Sequence, residues 1–352
     1  MSPQSEREVP LVRAAALIDY VEVARFVGLD PYEMLRRARI SPESFADPEA
    51  LIPGPPVGTL FEESARKSNC PSFGLLMAEC RTLSSLGPLS LLLRHQATAR
   101  EVIEAFVRYQ GLLSETLALG IEEMGELSII HVDYVAGLSL RQAVELLMGL
   151  VSRTVAEVVA GRWYMDSVHF LHPAPADTSI HRRVFQCPLI FEDEFNGFVC
   201  RTECLDAPNP AAESVMAEHA RRYLDMLIPD PADGTIGERA RRSLYLLLPA
   251  GRASLEQTAR NLDLHPRSFQ RQLEKEGRTF ATLLNEVRRE LALRYLASPT
   301  HSITAVGQMT GYATPSSFSR WFAAEFGMAP AAWRAEERAA AGPSRAQLSL
   351  RV

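Results

Sequence analysis

Ile303-Thr-Ala-Val-Gly-Gln-Met-Thr-Gly-Tyr-Ala-Thr-Pro-Ser-Ser-Phe-Ser-Arg-Trp-Phe-Ala-Ala-Glu-Phe-Gly-Met-Ala-Pro-Ala-Ala-Trp-Arg334 decides how this 352-residue chain is read. Ile303, Val306 and Met309 recur at helical spacing, Gly311-Tyr-Ala-Thr-Pro315 makes a turn, and Ser316 to Phe326 forms a second helix. An earlier stretch repeats the plan. Ser254-Leu-Glu-Gln257 reads as a capping box that starts a helix with Leu255, Ala259 and Leu262 facing inward. Asp263-Leu-His-Pro266 then turns the chain, and Arg267 to Glu276 forms the partner helix. Leu255 to Ile303 is a step of 48 residues and Phe269 to Phe318 one of 49, so the second turn is one residue longer. Two helix-turn-helix units, about 254–276 and 302–326, stand in tandem.

In each unit the second helix places apolar residues four apart, Phe269 with Leu273 and Phe318 with Phe322, on the side that packs onto its partner. The other side chains then face outward together: Arg267, Gln270, Arg271 and Glu274 in the first unit, Ser316, Ser317 and Arg320 in the second. Arginine can bond guanine bidentately in the major groove of double-stranded DNA, and Gln can do the same for adenine. Pro266 and Pro315 fit a first helical turn, whose amides have no intrahelical partner. Gly311 supplies the left-handed conformation that the second turn needs. Between the units, Phe280, Leu284, Val287, Leu291 and Tyr295 mark a connecting helix from Phe280 to Ala297, about 27 Å long. Such a rod can hold two reading helices roughly one DNA turn, about 34 Å, apart. Arg288 and Arg289 lie off its apolar stripe, and Arg288 is expected to meet phosphate.

Charge divides along the chain in the same sense. Residues 1–234 carry 20 Lys/Arg against 33 Asp/Glu, whereas 235–340 carry 15 against 10, within an overall net charge of −6. A basic C-terminal third on an acidic body points to a polyanion at that end alone. Two prolines and a glycine in Ile228-Pro-Asp-Pro-Ala-Asp-Gly234 interrupt any regular element. The expected organisation is therefore a first domain over 1–228, a linker at 229–234, a DNA-binding domain over 235–340 and a flexible tail at 341–352. Apolar residues at 47% and charged residues at 23% describe a soluble globular protein rather than a disordered chain or a fibre. No run of 18 apolar residues exists, no secretory leader is visible, and five cysteines form no disulfide-like framework. A cytoplasmic protein that meets no membrane is expected.

Upstream of the linker the fold reads as mixed α and β, which makes the whole chain α+β. Roughly the first 110 residues form short helices, one opened by the capping box Thr98-x-x-Glu101. Glu115 to Glu123 and Glu126 to Tyr134 form a hairpin about Met124-Gly125. Ser139-x-x-Gln142 then opens a helix with Leu140, Val144, Leu147, Val151, Val155 and Val158 on its apolar face. Short strands follow at Ser167–Leu171, Cys187–Phe191 and Gly197–Arg201. An amphipathic helix from Ala211 to Ile228 either folds back on its own domain or makes a homodimer seam. On the seam reading, Leu224→Asp leaves the domain folded but monomeric.

Candidate chemistry in the first domain is sparse. His169 and His172, on a strand ending at Pro173, point to opposite faces, so with His181 and Cys187 they are not expected to hold a metal. Cys200-x-x-x-Cys204 lacks the second close cysteine pair that a zinc-thiolate site needs. Glycine-rich phosphate loops and a Gly-x-Ser-x-Gly elbow are absent, so no enzymatic activity and no cofactor are expected. His131, Tyr134 and Arg141 put polar groups among apolar neighbours and are the candidate contacts for a small, uncharged or anionic effector.

The segments Arg267 to Gly277 and Ile303 to Arg334 closely resemble the paired helix-turn-helix domain of AraC/XylS-type transcriptional regulators. The Gly-aromatic turn, the Phe-Ser-Arg-x-Phe core, Phe-Gly and the terminal Pro-x-x-aromatic-Arg carry the likeness over about residues 235–335. Asp263 departs from the glycine common there, at small cost because Asp tolerates left-handed backbone. Arg108 to Ser114, Val168 to Asp177 and Phe185 to Phe191 resemble the α/β effector-binding domain of one branch of these regulators, not the all-β sensor of the arabinose regulator. The resemblance implies an effector-responsive, sequence-specific regulator, an activator that meets RNA polymerase. Two alternatives stand beside it: a DNA-repair-type enzyme fused to the same reader, and a regulator whose first domain only dimerises.

Overall fold

The computed structural model describes residues 9–134, 140–227, 235–249, 251–262, 264–297 and 301–340. They fall into two compact units, one before and one after the stretch 228–234. That stretch, Ser139, Asp263 and residues 341–352 lie outside the described residues.

The first unit is built around the helix Arg141–Val158. Its expected stripe is buried, but so are Ala143, Leu146, Gln142, Glu145, Ser152 and Thr154, so the helix is enclosed nearly all round. A helix in that position serves as a spine between two cores. On one side lie the short helices Tyr20–Phe26, Pro31–Ala38, Gly54–Ser68 and Phe73–Cys80, with Tyr20, Phe61 and Phe73 stacked edge-on or tilted at their centre. Two strands that periodicity did not signal, β1 (Leu11–Arg13) and β2 (Leu51–Pro53), pair antiparallel there. Glycine sets the closeness of approach. A Cβ on Gly74 would stand 2.0 Å from the Gln142 carbonyl oxygen, and one on Gly149 would stand 2.6 Å from the Ala78 Cβ.

On the other side of the spine lies a five-stranded sheet. The hairpin strands are β3 (Leu117–Met124) and β4 (Leu127–Tyr134), followed by β5 (Ser167–Phe170), β6 (Leu189–Phe191) and β7 (Gly197–Arg201). Their order is β3-β4-β7-β5-β6, antiparallel except for β5 with β6. The hairpin turns at Gly125, whose φ of 71° is the left-handed conformation that glycine adopts without strain. The parallel pair requires a crossover, supplied by the helix Ser179–Phe185. The expected helix start at Thr98 forms only half of its box, and Ser139, the first residue of the other, lies outside the described residues. Thr98 accepts from the Glu101 amide, but Glu101 reaches back to the Ala97 amide, and Gln142 accepts the Gly74 amide in the first turn of Phe73–Cys80 and donates to the Pro71 carbonyl instead of capping its own helix.

The second unit is all helical: Ile236–Leu247, Leu255–Asn261, Pro266–Lys275, Phe280–Ala297, Ile303–Met309, Pro315–Phe326 and Pro330–Ala340. A full capping box occurs at Thr235 and Glu238, where each side chain bonds the other's amide. At Ser254 only half of the expected box forms, because the Gln257 side chain turns to Asn261. Phe269, Leu273, Phe318 and Phe322 are fully buried, as the four-residue spacing requires. The connecting helix buries Leu283, Val287, Leu291, Ala292, Tyr295 and Leu296, while Phe280 and Leu284 are only half-buried. Among the described residues no helix is long and apolar enough to cross a membrane, and all five cysteines are free thiols.

Candidate nucleic-acid interface and sensor-domain cluster

The two second helices of the repeat are held from behind. At the start of Pro266–Lys275, His265 caps the helix by accepting the Arg267 amide, and at its end Glu276 accepts the amides of Ile236 and Gly237 at 2.5 and 3.0 Å. Pro315–Phe326 is capped by Thr314, whose hydroxyl accepts the Ser317 amide at 3.3 Å. Trp321 donates its indole N–H to Asn285 at 2.8 Å, Asn285 donates to Glu325 at 2.9 Å, and Arg289 pairs with the same carboxylate at 2.7 Å. These bonds lock the second of the two helices to the connecting helix.

What remains outward is the expected set. Arg267, Gln270, Arg271 and Glu274 are exposed on the first helix, and Ser316 and Arg320 on the second. Among the described residues none makes a hydrogen bond or ion pair with the side chains of Arg267, Gln270, Arg271 or Arg320, so these four are available to a ligand. Ser317 is half-buried, and its hydroxyl lies 2.8 Å from that of Thr314, so it belongs partly to the cap. Arg288 departs from expectation. Its guanidinium donates to the Thr310 carbonyl at 3.2 Å and lies 5.1 Å over the Tyr312 ring, which braces the turn around Gly311. It is not a free surface arginine, because the turn between the second pair of helices folds over it.

In the first unit the three candidate effector residues do not meet. His131 and Tyr134, three apart on β4, point to opposite sheet faces. His131 faces Glu122 and Phe195, on the side where His169 pairs with Asp193 and stacks on Phe195. Tyr134 turns toward the core, and burial pushes its hydroxyl up to about 12. Arg141 joins a different group, centred on Glu145. That carboxylate is fully buried, and its Oε1 stands 2.8 Å from Arg141 Nε, 3.0 Å from His172 Nε2 and 3.2 Å from His181 Nε2. Burial alone would raise its carboxyl, but the contacts of His172, His181 and Arg141 outweigh that and hold it down at about 2. Glu62 lies beside the group, accepts the Gln142 amide at 2.7 Å and is pushed up chiefly by burial. The strand expected to carry both His169 and His172 ends at Phe170, so His172 lies in the following loop, where with His181 it converges on Glu145.

Residues 28–209 match the family model of the arabinose-binding domain of AraC transcription regulators, and residues 258–336 match a helix-turn-helix domain. The chain belongs to the AraC family of transcriptional regulators. VirS of Mycobacterium tuberculosis, an HTH-type transcriptional regulator, is 30% identical to this AraC-family chain over 329 residues, 92% of this chain and 96% of its own. The ornithine utilization regulator of Pseudomonas aeruginosa is 27% identical over 334 residues, covering 93% and 96%. The crystal structure of the transcriptional regulator CdpR from Pseudomonas aeruginosa shares 21% identity, covers 86% of this chain and 96% of that one, and superposes with a TM-score of 0.41. This AraC-family protein is thus a DNA-binding regulator with an effector-binding type of N-terminal domain, and not an enzyme.

For such a regulator the bracing of Arg288 has a direct consequence. Arg288→Ala is expected to lower the melting temperature of the 235–340 unit by roughly 4–8 °C, the equivalent of about 1 kcal/mol for the lost hydrogen bond. An unchanged melting temperature with a flatter salt dependence of DNA binding would return Arg288 to a phosphate-contact role.

Proposed function

We propose that this protein is a cytoplasmic, homodimeric, effector-responsive activator that reads two adjacent major-groove segments with Pro266–Lys275 and Pro315–Phe326. Arg267, Gln270 and Arg271 would read one segment, Ser316, Ser317 and Arg320 the other. The observation that carries this reading is the pair of outward polar faces whose arginines have no partner among the described residues. Exposed arginines left unpaired beside fully buried anchors suit bidentate contact to guanine. Recruitment of RNA polymerase is part of the same proposal, supported by the likeness to transcriptional regulators. Selection of binding sites from random duplexes with the full chain is expected to return two boxes about one helical turn, roughly 10 base pairs, apart. A single box would mean that only one helix reads sequence.

The homodimer reading changes its surface. Ser214–Leu227 buries Ala217, Ala220 and Leu224 against its own unit, so Leu224 is not a seam residue. Val215, Met216, Tyr223, Met226 and Leu227 remain exposed, and Met216, Tyr223 and Met226 follow one another at steps of seven and three. That spacing suits a paired helix. Met226→Asp is expected to give monomers in sedimentation with an unchanged melting temperature; a wild-type monomer, or a variant that still dimerises, contradicts the seam.

For the effector, Arg141 is the retained candidate, since it brings a cationic group into the buried polar cluster. A metabolite that binds here is expected to raise the melting temperature of the wild type and not of Arg141→Ala, and to change transcription from the target promoter. A stabilising ligand that leaves transcription unchanged favours a first domain that only dimerises.

A further inference from the structure

Glu145, His172 and His181 come from three separate elements: the spine helix, the loop after β5, and the crossover helix between β5 and β6. One ligating atom from each lies within 4.8 Å of the other two. The topology produces the meeting, because the crossover that joins the parallel pair β5 and β6 carries both histidines across the spine helix at Glu145.

The hydrogen bonding of the group is incomplete in one particular way. His172 Nδ1 lies 2.9 Å from the Pro173 carbonyl oxygen, which can only accept, so Nδ1 carries the hydrogen and the neutral ring presents a lone pair at Nε2. That Nε2 is buried, makes no hydrogen bond, and faces Glu145 Oε1 at 3.0 Å. His181 differs: its Nε2 is within hydrogen-bond distance of the same oxygen, 3.2 Å from Oε1, and its Nδ1 lies 3.3 Å from the Ser72 hydroxyl, which can donate to it. Meanwhile Glu145 Oε2 is buried without any hydrogen-bond partner. His181 can donate to Oε1, but neutral His172, whose Nδ1 hydrogen goes to Pro173, turns a lone pair to the same oxygen, and a cation standing among the three groups removes that repulsion. Two imidazolium ions beside the Arg141 cation would set three positive charges against one buried carboxylate, with the rings of Phe170 and Phe191 against both histidines.

We propose that Glu145, His172 and His181 bind a divalent transition-metal ion of the Zn2+ class in the regulator's N-terminal domain. Two imidazole nitrogens and a carboxylate oxygen form a donor set that suits Zn2+. In a tetrahedral site with bonds of about 2.0–2.1 Å the donor atoms stand roughly 3.3–3.5 Å apart, close to the 3.0 and 3.2 Å separations found here. The outer partners are already in place: the Pro173 carbonyl and Ser72 hydroxyl fix the two rings through Nδ1, and Arg141 holds Oε1. Three protein ligands leave a fourth position for water or for a donor atom of a small anion. Use of that position by an effector rests on the sensor reading above; metal binding itself does not.

The test uses untagged full-length protein, stripped with a chelator and then dialysed against Zn2+ alone, with bound metal counted per chain. One Zn2+ per chain is expected in the wild type, and Co2+ in its place should give the intense visible absorption of a tetrahedral site. His172→Ala, a change at a partly exposed loop residue, is expected to lose the stoichiometric metal while keeping the wild-type circular dichroism. Ser72→Ala is expected to weaken binding by about 10–100-fold. His169→Ala, on the other sheet face, should bind as the wild type does. Wild type without bound metal, equal binding by His172→Ala, or binding abolished by Cys204→Ser each overturns the proposal. Metal bound with no effect on transcription leaves the site standing and removes only its link to sensing.

Discussion

Leu224→Asp is expected to unfold the N-terminal domain rather than to separate two subunits. Leu224 is 0% exposed and packs with the core beneath the helix Leu89–Leu93, whereas Met226, two residues on, is 75% exposed. Removing a buried leucine side chain costs about 2–5 kcal/mol through lost transfer energy and the cavity left behind. The aspartate then adds a carboxylate with no partner, or the cost of protonating it. Together these remove at least about 4 kcal/mol, a large part of the roughly 5–15 kcal/mol that holds a typical domain. For a unit of this size the melting transition should fall by about 8 °C or more. Thermal melting followed by circular dichroism checks this against Met226→Asp, which should melt with the wild type. A folded, monomeric Leu224→Asp would restore the simpler seam and contradict the packing described above.

Phe322→Ala is expected to cost roughly 3–5 kcal/mol and to abolish DNA binding although the side chain itself faces away from the ligand. Phe322 is fully buried, with ring centroids of Phe326, Phe318 and Trp333 at 4.4, 5.8 and 6.4 Å. Its loss empties the junction at which Pro315–Phe326 meets its neighbours, and the outward face carrying Ser316 and Arg320 loses its fixed orientation. In a unit of about 105 residues that destabilisation lowers the melting transition by more than about 12 °C. Melting and gel-shift measurements on the same preparation check both parts. A variant that melts normally yet fails to bind DNA would show that Phe322 acts at the interface and not through packing.

The second unit was legible because its two levels of signal agree. Four-residue spacing of Phe269 with Leu273 and of Phe318 with Phe322 fixes which face is buried, and so fixes which arginines face out. Proline at each helix start and Gly311 at the turn, with its φ of 81°, say the same in backbone terms. In the first unit, periodicity reported that a face is buried without saying against what. Leu224 satisfied a seam pattern and a core pattern equally well, and only the packed neighbours separate the two. The three-residue strands Leu11–Arg13 and Leu51–Pro53 are too short to show alternation, and their pairing is non-local. Gln142 fitted a capping box in the sequence, yet the close approach allowed by Gly74 gave its side chain a better partner. Glu145 was visible as a charge inside the apolar run Val144 to Leu147. Its meaning was not, since His181 is 36 residues away and the crossover that returns it has no local signature.

Base-resolved affinity of point variants separates a chain in which two helices read two DNA segments from one in which a single helix reads sequence. Full-length wild type, Arg271→Ala and Arg320→Ala are each measured against the selected two-box duplex and against every single base-pair change in it, at one salt concentration. Arg271→Ala is expected to lose about 1–3 kcal/mol and to become indifferent to base identity at one position in one box, with the other box still read as before. Arg320→Ala is expected to do the same in the other box alone. Should both variants lose discrimination in the same box, or should either bind every duplex as the wild type does, the two-helix reading of this regulator is wrong.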